Sequence, residues 1–123
     1  MIKPVIYLTT ARQRFISSRL IDRDGLLGRV GARYVKAGFN VKLKPDHVKN
    51  VDLIAIKGSE KYCIKVVTGN KILNENDIVE FINTCRKINY KPVIILYGPN
   101  PRVEPSVKEK YSDLIVKRIR SGE

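Results

Sequence analysis

The sequence predicts an α/β domain with a mixed central β-sheet flanked by helices. Two β-rich runs, 51–57 and 61–68, are separated by a short turn that contains glycine, which is typical of a β-hairpin. Residues 92–97 form a nearly continuous apolar run, as expected of a strand covered on both faces. Amphipathic helical patterns lie between these runs and before them.

The length and composition indicate one domain. A chain of 123 residues can bury a substantial core but not two independent ones. With 43% hydrophobic and 29% charged residues, the composition is that of a globular protein. The apolar runs are too short to cross a bilayer, and the N-terminus lacks a signal-peptide pattern. We therefore expect no membrane partner and a cytoplasmic location.

The net charge of +12 favours a polyanionic partner. The charge is uneven, because residues 1–50 hold 11 basic and 3 acidic side chains, against 7 and 5 in residues 51–100. A charged surface of the thermophilic type is the alternative, but such surfaces usually mix both signs. Membrane-surface binding is less favoured, since no basic amphipathic segment has a bulky apolar face. The expected partner is nucleic acid, DNA in preference to RNA.

The N-terminal part begins with a predicted strand at 4–10, followed by a helix at about 11–20. Three arginines near one face of that helix either contact phosphates or are simply solvated: Arg12, Arg19 and Arg23.

A second helix is predicted from the N-cap Asp24 to about Ala37, with Gly38 as its C-terminal cap. Its apolar residues recur at helical spacing at Leu27, Val30, Tyr34 and Ala37, and its opposite side carries Arg29, Arg33 and Lys36. Three glycines at Gly25, Gly28 and Gly31 are interpreted as positions of close helix packing rather than as a phosphate-binding loop.

Strict alternation over residues 39–44 predicts a strand with a basic outer face that includes Lys42 and Lys44. Residues 45–50 form a connection that carries Lys49. Its His47 is given no role, because a lone histidine in a loop is usually solvated.

The second half is predicted to hold a loop at 69–73, a helix opened by a capping box at Asn74, and the strand at 92–97. Cys85 belongs to the buried face of that helix, and we expect Cys63 and Cys85 to be buried and reduced, with a disulfide as the alternative in a hyperthermophile. The C-terminal residues favour a short helix at 105–111 and a final strand at 113–119.

The hairpin has one feature of a metal-dependent nuclease. Phosphodiester cleavage with Mg²⁺ needs carboxylates to hold the ion and usually a lysine nearby. An Asp at the start of one strand, with an acid and a lysine two residues apart on the next, supplies these groups on one face. Asp52 fills the first position, but the other two hold Lys65 and Val67.

The order of these segments resembles the archaeal Holliday junction resolvases of the PD-(D/E)XK nuclease superfamily. The resemblance covers about three-fifths of the chain and depends on residues 37–41, 51–58, 62–68 and 92–97 in sequence. It implies a restriction endonuclease-like fold in a single nuclease-like domain over residues 1–123. Within it, residues 1–20 are an N-terminal addition, 21–98 the core and 99–123 a C-terminal helix and strand.

The same resemblance implies a homodimer that binds four-way DNA junctions, with a degenerate active site. Only Asp52 survives of the family's Glu, Asp and Glu-x-Lys set. The first-helix acid has no counterpart near Leu27 to Arg29, Lys65 replaces the second acid, and Val67 replaces the lysine. An ammonium at position 65 would repel Mg²⁺ and is expected to pair with Asp52. We therefore expect no catalytic residue, no cofactor and no metal.

The sequence thus predicts a non-catalytic protein, a pseudoenzyme that binds duplex or branched DNA by shape, through contacts to phosphates. The candidate binding residues are Arg29, Arg33, Lys36, Lys42, Lys44, Lys49, Lys57 and Lys65.

Two alternatives remain open. One is an active, Mg²⁺-dependent, structure-specific endonuclease in which Asp24, Asp46 or Glu60 joins Asp52 at the metal. The other is RNA binding, because Gly28-Arg-Val-Gly31 loosely resembles the GXXG loop of KH domains.

Overall fold

The computed structural model describes residues 25–45 and 48–120. They form a mixed five-stranded sheet flanked by helices, which confirms the predicted α/β class. The sequence predictions for residues 1–24, and those for Asp46 and His47, lie outside the described residues. In chain order the elements are α1 (Leu26–Lys36), β1 (Asn40–Leu43), β2 (Leu53–Lys57), β3 (Glu60–Val67), β4 (Ile72–Leu73), α2 (Glu75–Lys87), β5 (Lys91–Tyr97), β6 (Arg102–Val103), α3 (Pro105–Lys110) and β7 (Ile115–Ile119).

The strand order in the central sheet is β1-β2-β3-β5-β7. The pairs β1–β2 and β2–β3 are antiparallel, whereas β3–β5 and β5–β7 are parallel. Each parallel strand is reached through a helix, α2 before β5 and α3 before β7, as parallel neighbours require a crossover.

A second, two-stranded sheet pairs β4 with β6. The prediction of a loop throughout residues 69–73 is therefore wrong at Ile72 and Leu73. The Arg102 N–H donates to the Lys71 carbonyl, and the Glu104 N–H donates to the Leu73 carbonyl. Two residues are too few for a strand pattern to be visible in the sequence.

Helix α1 ends in the way the sequence predicts. Gly38 adopts a φ of 95°, and its N–H bonds to the Val35 carbonyl while the Phe39 N–H bonds to that of Tyr34. This is the Schellman arrangement, which glycine permits at no steric cost. At its other end the N-cap position is taken by Gly25, one residue after the predicted Asp24.

The glycine spacing in α1 supports the packing interpretation. Gly28 and Gly31 are buried together with Val30 and Val35, whereas Arg29 is exposed. The helix packs mainly against β1 and β2, and its Val30 and Val35 belong to the same buried cluster as Ile64, Val93 and Ile95 of the neighbouring strands.

The predicted hairpin is present. The turn between β2 and β3 consists of Gly58 and Ser59, and Gly58 has a φ of 60°, as required at the first central position of a type II′ turn. In β1, Val41 is buried and Lys42 is exposed, which confirms the predicted alternation.

Helix α2 has the predicted capping box. The Asp77 N–H donates to Asn74 Oδ1 (3.1 Å), and the Asn74 N–H donates to Asp77 Oδ2 (2.9 Å). The helix buries one face against the sheet through Ile78, Phe81, Ile82 and Cys85.

Cys63 of β3 and Cys85 of α2 are joined by a disulfide in this core. The expectation that both are reduced is wrong. Their Cα atoms lie 5.7 Å apart, within the range of roughly 4.4–6.8 Å that a disulfide needs. Because the two cysteines are 22 residues apart along the chain, the sequence does not indicate that the sheet and the helix bring them together.

The C-terminal residues fold as the predicted helix followed by a strand. β7 pairs with β5 over Val93 to Tyr97, so the segment set apart as residues 99–123 contributes an edge strand to the central sheet. Tyr111, at the end of α3, donates to Glu75 Oε2 on α2 (2.9 Å), and Lys110 bonds to the same oxygen.

Candidate nucleic-acid interface

Asp52 lies one residue before β2, where the nuclease resemblance places a metal-binding carboxylate. Its Oδ2 atom accepts a hydrogen bond from the Val66 N–H of β3 (2.7 Å), and its own N–H donates to the Ile64 carbonyl (2.9 Å). The half-buried Asp52 thus extends the hydrogen bonding between β2 and β3 by one residue before the start of β2. Asp52 therefore has a structural role that needs no metal.

Lys65 and Val67 are two residues apart on β3, on the face that packs against α2. Lys65 is half-buried, and it forms no ion pair with Asp52 within the residues that the structure describes. The expected pairing is therefore wrong, because the Asp52 carboxylate bonds to backbone instead. Val67 is 5% exposed and belongs to the hydrophobic core, so its position offers no room for a solvated lysine.

Glu60 does not approach Asp52. In the β2–β3 register Glu60 lies opposite Lys57 at the far end of the hairpin, and Lys57 is five positions along the chain from Asp52, which is roughly 17 Å at 3.4 Å per residue. Over residues 25–45 and 48–120 no group of three or more His, Cys, Asp or Glu side chains could hold a metal ion. Asp24 and Asp46 lie outside those ranges.

The predicted basic residues divide between the two faces of the sheet. Arg29, Arg33 and Lys36 are exposed on α1. By strand alternation, Lys42 is opposite to the buried Val41 and so lies on the α2 face, the face of Lys65. The remaining candidates, Lys44, Lys49 and Lys57, are exposed at the ends of the first two strands.

Lys57 is partly engaged in the fold. Its Nζ atom donates to the Ala37 carbonyl at the end of α1 (3.0 Å) and lies 5.6 Å from the centre of the Phe39 ring. A cation is favourable at a helix C-terminus, where carbonyls are unpaired. Lys57 therefore holds the end of α1 against the hairpin as well as adding to the positive surface.

A cavity of about 330 Å³ opens beside the end of α1, on the α1 face of the sheet. Three aromatic rings contribute to its wall: Tyr34, Phe39 and Tyr62. The charged residues around it are Arg33, Lys117, Arg118 and Glu60. Of these, the sequence predicts Arg33 as a DNA-binding residue and Glu60 only as a metal ligand.

The aromatic rings of the cavity are packed against each other. The Phe39 ring centre lies 5.4 Å from that of Tyr34, edge to face, and 5.7 Å from that of Tyr62. Phe39 is 9% exposed, whereas both tyrosines are half-buried. The buried ring therefore positions two rings that remain accessible.

The electrostatics keep both phenols neutral. Burial, and secondarily the neighbouring Tyr62, raise the pKa of Tyr34 to about 12. Burial and the adjacent Glu60 carboxylate also raise the pKa of Tyr62, whose hydroxyl donates to Glu60 Oε1 (3.3 Å). At neutral pH both phenols are protonated, and the Tyr62 hydroxyl is already donated to Glu60.

Sequence reasoning missed Tyr34, Tyr62, Lys117 and Arg118 as site residues. Tyr34 matched the apolar face of a helix, and Tyr62 matched a strand. Lys117 and Arg118 are near the C-terminus, and only the parallel pairing of β7 with β5 brings them to this cavity. The alternation of β7 could have placed Lys117 on a sheet face but not beside α1.

Comparison with known proteins establishes the fold alone. No family model matches the chain, and no curated protein matches it. Among solved structures, the crystal structure of a protein of unknown function, AF1548, matches with a TM-score of 0.52 and 14% identity. The match covers 86% of this chain and 56% of that one, so this chain spans little more than half of its neighbour's length. None of the described helices is both long and apolar enough to cross a bilayer.

Proposed function

We propose that this protein binds duplex or branched DNA through its basic surface and does not cleave it. The observation that carries the proposal is the state of the position where a nuclease would hold its metal. The Asp52 carboxylate accepts a hydrogen bond from the Val66 N–H, Lys65 of β3 occupies the position of the second acid, and Val67 is buried. A positive side chain in that place disfavours Mg²⁺.

Charge supports the choice of ligand. The chain carries a net charge of +12, and seven of the eight candidate residues are exposed. Lysine and arginine on such a surface contact phosphates, which gives affinity for the shape of the duplex rather than for its sequence. DNA is preferred over RNA on the resemblance to junction resolvases.

The dimer and the cellular location belong to the same proposal. We expect a homodimer, since a four-way junction presents paired duplex arms to a symmetric protein. We also propose a cytoplasmic location. In that compartment internal disulfides are usual only in the proteins of hyperthermophiles. Light scattering at several protein concentrations, with and without junction DNA, measures the oligomeric state.

The test is binding and cleavage on the same substrates. Fluorescence anisotropy with a four-way junction and a matched duplex should show binding that weakens steeply with salt. The variant Arg29→Ala/Arg33→Ala/Lys36→Ala should bind at least tenfold more weakly, with a shallower salt dependence. The control Lys108→Ala/Lys110→Ala on α3 removes charge from another surface and should bind nearly as the wild type.

Incubation of the same DNA with Mg²⁺ or Mn²⁺ should leave it intact. Cleavage that disappears in Asp52→Ala would overturn the non-catalytic assignment and favour the endonuclease alternative. Absence of binding to DNA at low salt would overturn the proposal as a whole, and RNA of matched length measures the preference between the two.

A further inference from the structure

The cavity beside α1 offers aromatic rings beside a cation, a combination that the proposed DNA surface does not use. Its aromatic part contains Tyr34 and Tyr62, held by the buried Phe39. Its cationic part contains Lys117 of β7, which shares the α1 face of the sheet with Ile115 and Ile119. Flat rings bind the face of a base, and a cation binds phosphate.

These two parts lie at different places along the sheet. Tyr62 is opposite Lys91 on β5, and Lys117 is opposite Ile95, so the two are four residues apart along β5, about 13 Å at 3.3 Å per residue. Glu60 lies at the Tyr62 end, bonded to its hydroxyl. Tyr62 and Glu60 therefore lie toward one end of the cavity and Lys117 toward the other.

The cationic end of the cavity depends on Lys117. The neighbouring Arg118 shares the opposite face of the sheet with Val116, and its guanidinium donates through Nη2 to the Pro101 carbonyl (2.7 Å) and through Nη1 to the Gly98 carbonyl. Its charged group is therefore directed away from the aromatic rings. Lys117 is exposed and forms no hydrogen bond or ion pair with any residue in the described ranges, so its ammonium remains available to a ligand.

We propose that this cavity binds one nucleotide unit, with the base against Tyr34 and Tyr62 and the phosphate at Lys117. The volume of about 330 Å³ is at the lower end of the roughly 300–1,000 Å³ typical of small-molecule sites, which suits a mononucleotide and excludes a duplex. The Glu60 carboxylate at the base end accepts hydrogen bonds from exocyclic amino groups, which gives preference to a base that carries one.

The same nucleotide unit has two sources, a free mononucleotide or an unpaired nucleotide of a DNA strand. The second source deepens the proposed function and depends on it, because the strand would be held by the basic surface while one base enters the cavity. An unpaired base costs little to extrude compared with a paired one.

The first arm of the test uses free ligands. Isothermal titration calorimetry with 2′-deoxyadenosine 5′-monophosphate should show saturable binding that is at least fivefold tighter than that of deoxyadenosine or inorganic phosphate. Lys117→Ala should weaken binding of the nucleotide about fivefold and leave deoxyadenosine unchanged. Tyr62→Leu should weaken both about fivefold or more, whereas Tyr62→Phe, which keeps the ring, should weaken them less.

The second arm uses DNA. A duplex with one unpaired adenosine should bind at least threefold tighter than the same duplex with an abasic site in its place, and Tyr62→Leu should remove that difference. Lys108→Ala, on α3 away from the cavity, is the matched control for Lys117→Ala. Circular dichroism confirms that each variant is folded, and the exposed Lys117→Ala carries the test if Tyr62→Leu does not fold.

The outcomes separate the two proposals. Nucleotide binding without a preference for the unpaired adenosine assigns the cavity to free nucleotides. Absence of both nucleotide binding and the preference, in a protein that still binds duplex DNA, overturns this inference alone. Nucleotide binding in a protein that binds no DNA overturns the proposed function and keeps the nucleotide site.

Discussion

At the scale of single residues, Asp52 shows how a carboxylate that the sequence suggests as a metal ligand can serve the fold. Its Oδ2 atom lies 2.7 Å from the Val66 nitrogen and supplies the acceptor that a further residue of β2 would otherwise provide. Buried N–H groups without an acceptor are strongly disfavoured. An acid at this position is therefore explained by the hairpin itself, without catalysis.

Replacing Asp52 tests that role. Asp52→Ala removes the acceptor of the Val66 N–H and should lower the free energy of unfolding by about 1–2 kcal/mol. Asp52→Asn keeps an oxygen acceptor and should lower it by less. Urea unfolding followed by circular dichroism measures both, and DNA affinity should stay within about twofold of the wild type. An Ala variant as stable as the wild type contradicts the structural role.

Tyr34 provides a pH-dependent signal at the cavity. Burial raises its pKa to about 12 in the folded protein, against about 10 for an exposed tyrosine. The folded state therefore binds the phenolic proton more tightly than the unfolded state does. The stabilisation is fully present below pH 10 and is lost as the pH rises from 10 to 12.

The variant Tyr34→Phe removes this ionisation. Between pH 10 and 12 the wild type should lose more stability than the variant, whereas below pH 9 the difference between them should be constant. Urea midpoints at half-unit pH intervals give the two curves. Parallel curves across the whole range would show that Tyr34 ionises equally well in both states.

At the scale of elements, α2 depends on its capping box. Asn74 and Asp77 satisfy each other's backbone N–H groups at 3.1 and 2.9 Å. Asn74→Ala should lower the free energy of unfolding by about 1 kcal/mol, because the Asp77 N–H loses its acceptor. The exposed Asn70, in the loop before β4, is the matched control.

Thermal unfolding of Asn74→Ala and Asn70→Ala compares the two positions. Only the Asn74 variant should show a lower midpoint. A Gly replacement at 74 should be better tolerated than Ala, since glycine is itself an acceptable N-cap. Equal midpoints for the Asn74 and Asn70 variants would show that the cap contributes nothing measurable.

At the scale of the whole molecule, the disulfide ties the sheet to its covering helix. It joins β3 to α2 across a loop of 22 residues, and both cysteines are fully buried. Such a cross-link restricts the unfolded chain and stabilises a protein by about 3 kcal/mol for a loop of this length.

The double variant Cys63→Ala/Cys85→Ala should therefore unfold at a clearly lower denaturant concentration than the oxidised wild type. Wild-type protein unfolded with a reductant present should lose a similar amount of stability. Mass spectrometry after alkylation in denaturant shows whether the thiols are paired, and two alkylated cysteines without reductant would contradict the bridge.

The sequence by itself determined the larger elements of the described residues and their order. The period-2 run of β1, the glycine turn of the hairpin, the Asn74 cap and the apolar β5 are local signals, and each depends on residues only a few positions apart. The departure from the nuclease pattern at Lys65 and Val67 is equally visible in the sequence, but its meaning for activity stays a prediction.

The tertiary structure decided what distant residues do together. It pairs β7 with β5 and brings Lys117 to the cavity that Tyr34 and Tyr62 line. It also joins Cys63 to Cys85 and gives the Asp52 carboxylate to a backbone N–H instead of to Lys65. None of these contacts follows from spacing along the chain, because each depends on which strands are neighbours and on which face a helix covers.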